Sequence, residues 1–176
     1  MSSVLTILVT PGFRATTYLG NALWHTSAFV HFGLRPQYMM RKLSTRKLDV
    51  KTIETPEGDA WHHDIMRYLG GINLGYAILA TLRFIPLFGV VRSKGPDAVA
   101  ASNSAKEVQA ALDVLSLTAL GFANLSQAYL NFFVAKPSNR WIVGNWKGLQ
   151  TDRITLLDSL FTILDFGIVG ARLAGY

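Results

Sequence analysis

Hydrophobic positions in this chain gather into four long runs, at about residues 15–34, 64–91, 107–135 and 154–174, and charge and proline collect between them. Each run supplies the roughly 20 apolar residues that an α-helix needs to cross about 30 Å of hydrocarbon. Stop signals close them: Arg35-Pro36 after the first and Lys136-Pro137 after the third. In the second, Pro86 is expected to kink or end the helix. The pattern predicts an all-α membrane protein, one domain over residues 1–176, built as a bundle of four transmembrane helices with short loops. Met1 to Phe13 hold only a short apolar run before Pro11-Gly12, and are read as an interfacial turn rather than an extension of the first span.

Inside the runs the polar residues recur at helical spacing. In the third, Asp113, Ser116, Asn124, Gln127 and Asn131 step by three or four around Leu120. In the fourth, Thr151, Asp158, Asp165 and Arg172 repeat every seven, with Thr155 and Thr162 on the same face. Asn73, Tyr76 and Arg83 group around Ala80 in the second, and Arg14, Tyr18, Asn21 and His25 in the first. A period of 3.6 puts each set on one side of its helix. A carboxylate facing lipid at mid-depth costs about 2.5–3.5 kcal/mol, so the four stripes are expected to turn inward. Gly71 and Gly75 form a GxxxG, and Ala119 and Ala123 its small-residue analogue, both expected to let helices approach closely.

Composition and charge refine this. Only 16% of residues are charged, against about a quarter in a soluble domain, and half are apolar. The net charge of +6 raises the question of nucleic acid. The basic residues flank the runs without an interleaved aromatic surface, so no nucleic-acid partner is expected, and the bilayer is. Arg35, Arg41, Lys42, Arg46, Lys47 and Lys51 precede the second run; Lys136, Arg140, Lys147 and Arg153 precede the fourth. Four spans put these segments on one side. The positive-inside rule assigns basic loops 35–63 and 136–153 to the cytosol and both termini to the opposite side, in the endoplasmic reticulum or another endomembrane. Trp61, Trp141 and Trp146 fall at interfacial depth. Neither a cleaved secretory signal nor a mitochondrial presequence is read at the start.

With no cysteine, thiolate chemistry is excluded. His62-His63-Asp64 invites a metal reading, but adjacent histidines point to different helix faces and no third ligand follows at a suitable spacing. Asp64 is better read as a favourable charge at a helix start, and neither a metal nor another cofactor is expected.

Asp158 and Asp165 are the sharpest candidates for chemistry. They lie two turns apart, about 10.5 Å along the axis, too far to share a proton. A buried carboxyl at mid-span can act as general acid or base. The structural alternative is an ion pair with Arg172, Arg83 or Arg67 that holds the bundle together. His25, on the face of Asn21, offers either a proton shuttle or a plain polar contact between helices. Asp158, Asp165 and His25 are thus the catalytic candidates, and Asn21, Asn73, Tyr76, Asp113, Asn124 and Gln127 the ligand-binding ones. Arg67, Arg83 and Arg172 lie near span ends and read as snorkelling anchors.

The layout of four spans resembles the small four-helix membrane proteins loosely grouped as DoxX-like. The likeness is one of architecture, rests on no diagnostic motif, and implies no residue roles. The leading functional expectation is binding of a small lipophilic molecule in the polar interior: a sterol, isoprenoid, polyketide or quinone. Acid/base isomerisation, cyclisation or hydration is the chemistry those groups suit. The alternative is an accessory or assembly subunit whose stripes bind partner membrane helices or further copies of the chain. A small transporter ranks third.

Overall fold

A computed structural model describes residues 2–43, 60–92, 103–135 and 153–176, and every regular element among them is helical. A short α1 (Ser2–Leu8) turns at Val9 and Thr10 into α2 (Pro11–Ala28). The Thr10 hydroxyl accepts from the Phe13 amide at 3.3 Å, and Pro11 takes the first helical position, where a missing N–H costs nothing. The end of α2 widens into a π-helical turn, Phe29–Leu34, before α3 (Pro36–Leu43). Then come α4 (Ala60–Arg92), α5 (Asn103–Tyr129) with a π-helical end at Leu130–Ala135, and α6 (Arg153–Leu173). Pro86 does not terminate α4, which continues to Arg92. Loss of one N–H leaves the ladder on either side intact. The loop residues that carry most of the orientation argument, within 35–63 and 136–153, together with Trp141 and Trp146, lie largely outside the described residues.

Among the described residues, three helices are long and apolar enough to cross a membrane, over His62–Phe88, Lys106–Phe133 and Ile154–Leu173. The expected first span, 15–34, is not among them. Its helix carries Arg14, Thr16, Thr17, Asn21, His25, Thr26 and Ser27, which dilute the apolar content below that of a self-sufficient span. Whatever places α2 among the others is therefore its contacts with them.

Those contacts run antiparallel. Helices α2 and α4 form one intimate pair, α5 and α6 the other, and α2–α6 and α4–α5 contacts join the pairs. The cross-section is polar within and apolar without. Asn21, His25, Asp113, Asn124, Asp158 and Asp165 are fully buried, while Leu115 and Ile163 are each 70% exposed. A surrounding of water would favour the reverse; hydrocarbon favours this order. Around the polar groups an apolar layer of Ala15, Tyr18, Ala22, Ala80, Leu117, Leu120 and Ile168 closes the interior. α1 lies against α6, with Leu8 near Gly167, so the first residues form a separate packed helix rather than a prolongation of α2.

Close helix approach falls at glycines other than the expected pair. Gly71 and Gly75 are exposed, and an added methyl would meet nothing within 4 Å. Gly70 makes the approach: a Cβ there would lie 2.4 Å from both the Cα and the nitrogen of Gly33. Elsewhere Gly20 seats the Phe161 ring and Gly121 the Phe166 ring, so glycines of α2 and α5 receive aromatic side chains of α6.

Candidate functional site

Because neighbouring helices alternate in direction, residues far apart in sequence reach the same depth. Three polar layers result.

The first lies where α2 begins and α6 ends, with Arg83 reaching it from within α4. Asp113 of α5 accepts from four side chains there. Oδ1 takes the Tyr18 hydroxyl at 3.1 Å and Arg83 Nη2 at 2.9 Å. Oδ2 takes Arg172 Nη2 at 3.0 Å and Nη1 of Arg14. Arg14 is held in place by a second bond from Nε to the Val9 carbonyl, at 3.0 Å. Arg83 also lies over the Tyr18 ring, 5.7 Å from its centre. Sequence reasoning read Arg83 and Arg172 as snorkelling anchors, or as partners of Asp158 and Asp165. Both are instead turned inward onto Asp113, with side chains 10% and 14% exposed. The reason is depth: seven residues of α6, about 10.5 Å, separate Arg172 from Asp165, and twice that separates it from Asp158. Arg67 pairs with Asp64 on the surface at 3.0 Å.

The middle layer holds Asp165. Asn21 Nδ2 donates to the Thr17 carbonyl at 3.2 Å and to Asp165 Oδ1 at 2.8 Å. A carbonyl can only accept, so the Asn21 amide orientation is fixed and its Oδ1 is free to accept. It does so from Asn124 Nδ2 at 3.0 Å, and that nitrogen also donates to Asp165 Oδ2 at 3.2 Å. Asn124 Oδ1 is then left over, buried and without a hydrogen-bond partner.

One turn further along α2 the same logic applies to His25. Asn73 Nδ2 donates to the Leu69 carbonyl at 2.9 Å, which turns its Oδ1 toward His25 Nδ1 at 2.8 Å. Oδ1 only accepts, so Nδ1 carries the proton. In the neutral form of the ring Nε2 is then an acceptor, and it too is buried without a partner. The Tyr76 ring lies against the imidazole, 5.2 Å between centroids. Nearby, Trp24 Nε1 donates to Asp158 Oδ1 at 2.8 Å.

The candidate residues thus divide. His25, Asn73 and Tyr76 come together, as do Asn21, Asn124 and Asp165, and the two groups adjoin along α2. Asp158 is tied to Trp24, which sequence reasoning left without a role. Asp113 belongs to the arginine layer instead. Gln127 is half-buried, and no hydrogen bond joins it to these layers. Arg14, Tyr18, Arg83 and Arg172 are the residues that sequence reasoning undervalued. Matching their depths across antiparallel helices was the available signal. Among the described residues no three His, Asp or Glu side chains converge in a way that would hold a metal ion. No protein-family model, curated protein or solved structure matches this chain.

Proposed function

We propose that the chain is a multi-pass membrane protein whose four long helices form a transmembrane bundle, and that its interior binds a small lipophilic molecule bearing a hydroxyl group. The observation that carries this reading is a surplus of acceptors. His25 Nε2 and Asn124 Oδ1 are both fully buried and unpartnered, and Asn124 bonds to Asn21, which lies one turn from His25 on α2. A buried acceptor without a donor forfeits about 1–3 kcal/mol, so what fills the site should bring an O–H. Sterols, isoprenoid alcohols, hydroxylated polyketides and quinols qualify; a quinone or a ketone offers only another acceptor. His25 Nε2 is also the group equipped to take a proton from such a ligand, the step that isomerisation or cyclisation requires. That most stripe residues bond to one another inside the chain favours this reading over one in which the stripes dock partner helices.

Two experiments test the reading. A photoactivatable sterol alcohol should label the purified protein about tenfold more strongly than its ketone analogue, a preference worth one hydrogen bond. His25→Phe, which keeps the aromatic bulk, should abolish that preference. Equal labelling by alcohol and ketone in the parent protein rejects the ligand. Topology is read by introducing single cysteines, for which the cysteine-free chain gives no background. Ser44→Cys and Ser138→Cys should react with an impermeant maleimide from one side, and Ser3→Cys and Ser102→Cys from the other. An odd number of crossings rejects the bundle.

A further inference from the structure

Among the described residues, the arginine layer carries a surplus of positive charge. Arg14, Arg83 and Arg172 bring three positive charges to one carboxylate, and all three are at least largely buried. Asp113 has no further capacity: its two oxygens already accept four hydrogen bonds, the usual limit for a carboxylate. The guanidiniums are far from saturated. Five hydrogen bonds occupy a minority of their N–H groups, and the Nε of Arg83 and of Arg172 are buried without an acceptor. No other acidic side chain among the described residues pairs with the three arginines. Arg172 does donate to the main-chain oxygen of Tyr176 at 3.2 Å. Even if that oxygen is counted as a full carboxylate, one positive charge remains without a counter-ion among the described residues.

Buried charge is retained only when it is paired. We propose that the Arg14–Arg83–Arg172 cluster around Asp113 is a binding site for a phosphate group, held by the unsatisfied guanidinium donors. Planar guanidiniums present forked N–H groups that match phosphate oxygens, which distinguishes this ligand from chloride. A phosphomonoester, at about −1.5 to −2 near neutral pH, matches a surplus of up to two positive charges. Position also fits. Arg172 stands in the last turn of α6 and Arg14 in the first turn of α2, and the ends of bilayer-spanning helices are where lipid headgroups lie. The phosphate can therefore come from a lipid headgroup or from solution. The site is separate from the acceptor pair around His25, and only its lipid source depends on membrane insertion.

The test uses the full chain, purified in mild detergent and in phosphatidylcholine nanodiscs with and without phosphatidic acid. Thermal unfolding is followed against added inorganic phosphate, with sodium chloride at matched ionic strength as the control. A rise in midpoint with phosphate identifies a site open to the free ion; a rise only with phosphatidic acid identifies the headgroup. Arg172→Gln should weaken the effect about tenfold, as expected for a charge-assisted hydrogen bond. Asp113→Asn provides the decisive sign. Removing the competing carboxylate should strengthen anion binding, so phosphate or phosphatidic acid should raise its midpoint more than that of the parent. A merely structural ion cluster predicts no such rescue. If neither anion exceeds the chloride control in the parent protein, or if all variants respond alike, the site is rejected. Arg83→Gln gives a second reading should Asp113→Asn not fold.

Discussion

Asp113→Ala is expected to cost about 3–5 kcal/mol of stability, because it leaves three buried guanidiniums facing one another with no negative charge between them. That is a large part of the roughly 5–15 kcal/mol by which a domain of ordinary size is stable. The variant should accordingly fail to give a monodisperse peak in detergent, or melt far below the parent. The arithmetic rests on burial: the carboxylate is fully buried and its three arginine partners nearly so. An exposed pair, such as Arg67 with Asp64, is worth no more than about 1 kcal/mol, and Asp64→Ala should be close to silent. Asp113→Asn keeps the shape and some of the hydrogen bonding while removing the charge, so it should fall between Asp113→Ala and the parent. Thermal melts of the three variants in one detergent are sufficient. A loss below about 1 kcal/mol for Asp113→Ala means that water reaches the arginines, and the charge argument then fails.

The second large effect concerns shape. Gly70→Ala should destabilise the chain by about 2–3 kcal/mol, although alanine is the better helix former by about 1 kcal/mol. The new methyl would meet Gly33 backbone atoms at 2.4 Å, and backbone cannot retreat as a side chain can. Either α2 and α4 separate or the π-helical turn at Phe29–Leu34 rearranges. Gly71→Ala, one residue along, should be neutral or slightly stabilising, since nothing lies within 4 Å. Adjacent glycines with opposite signs make a sharp internal control. A Gly71→Ala change that weakened the protein in detergent would show that a second helix covers that face, as in a GxxxG pair between copies.

Much was legible in the residues themselves. The helical character of the long runs, the inward-facing sides of their stripes and the apolar exterior follow from local periodicity. A side chain's face is set by its position in the 3.6-residue repeat, and what surrounds that face is set by its cost of transfer. The same local reasoning fails where an effect belongs to two helices at once. It counted α2 as a span like the rest, yet Arg14, Asn21 and His25 make that helix too polar to stand alone, and its partners absorb those groups.

Which groups meet was decided by tertiary structure alone. Periodicity places Arg172 and Asp165 on one face of α6 but says nothing of the rotation and axial offset that bring Arg172 to Asp113 and Asp165 to two asparagines. It locates several glycines without telling which one a neighbouring backbone will touch; Gly70 is chosen by where α2 crosses. The chemistry of the interior is likewise a remainder. The acceptors left at His25 and Asn124, and the donors left on Arg83 and Arg172, exist only after every other polar group has found its partner. Hydrogen bonding is pairwise and directional, so what remains unpaired depends on the whole arrangement, whereas hydrophobicity and helical period can be read one residue at a time.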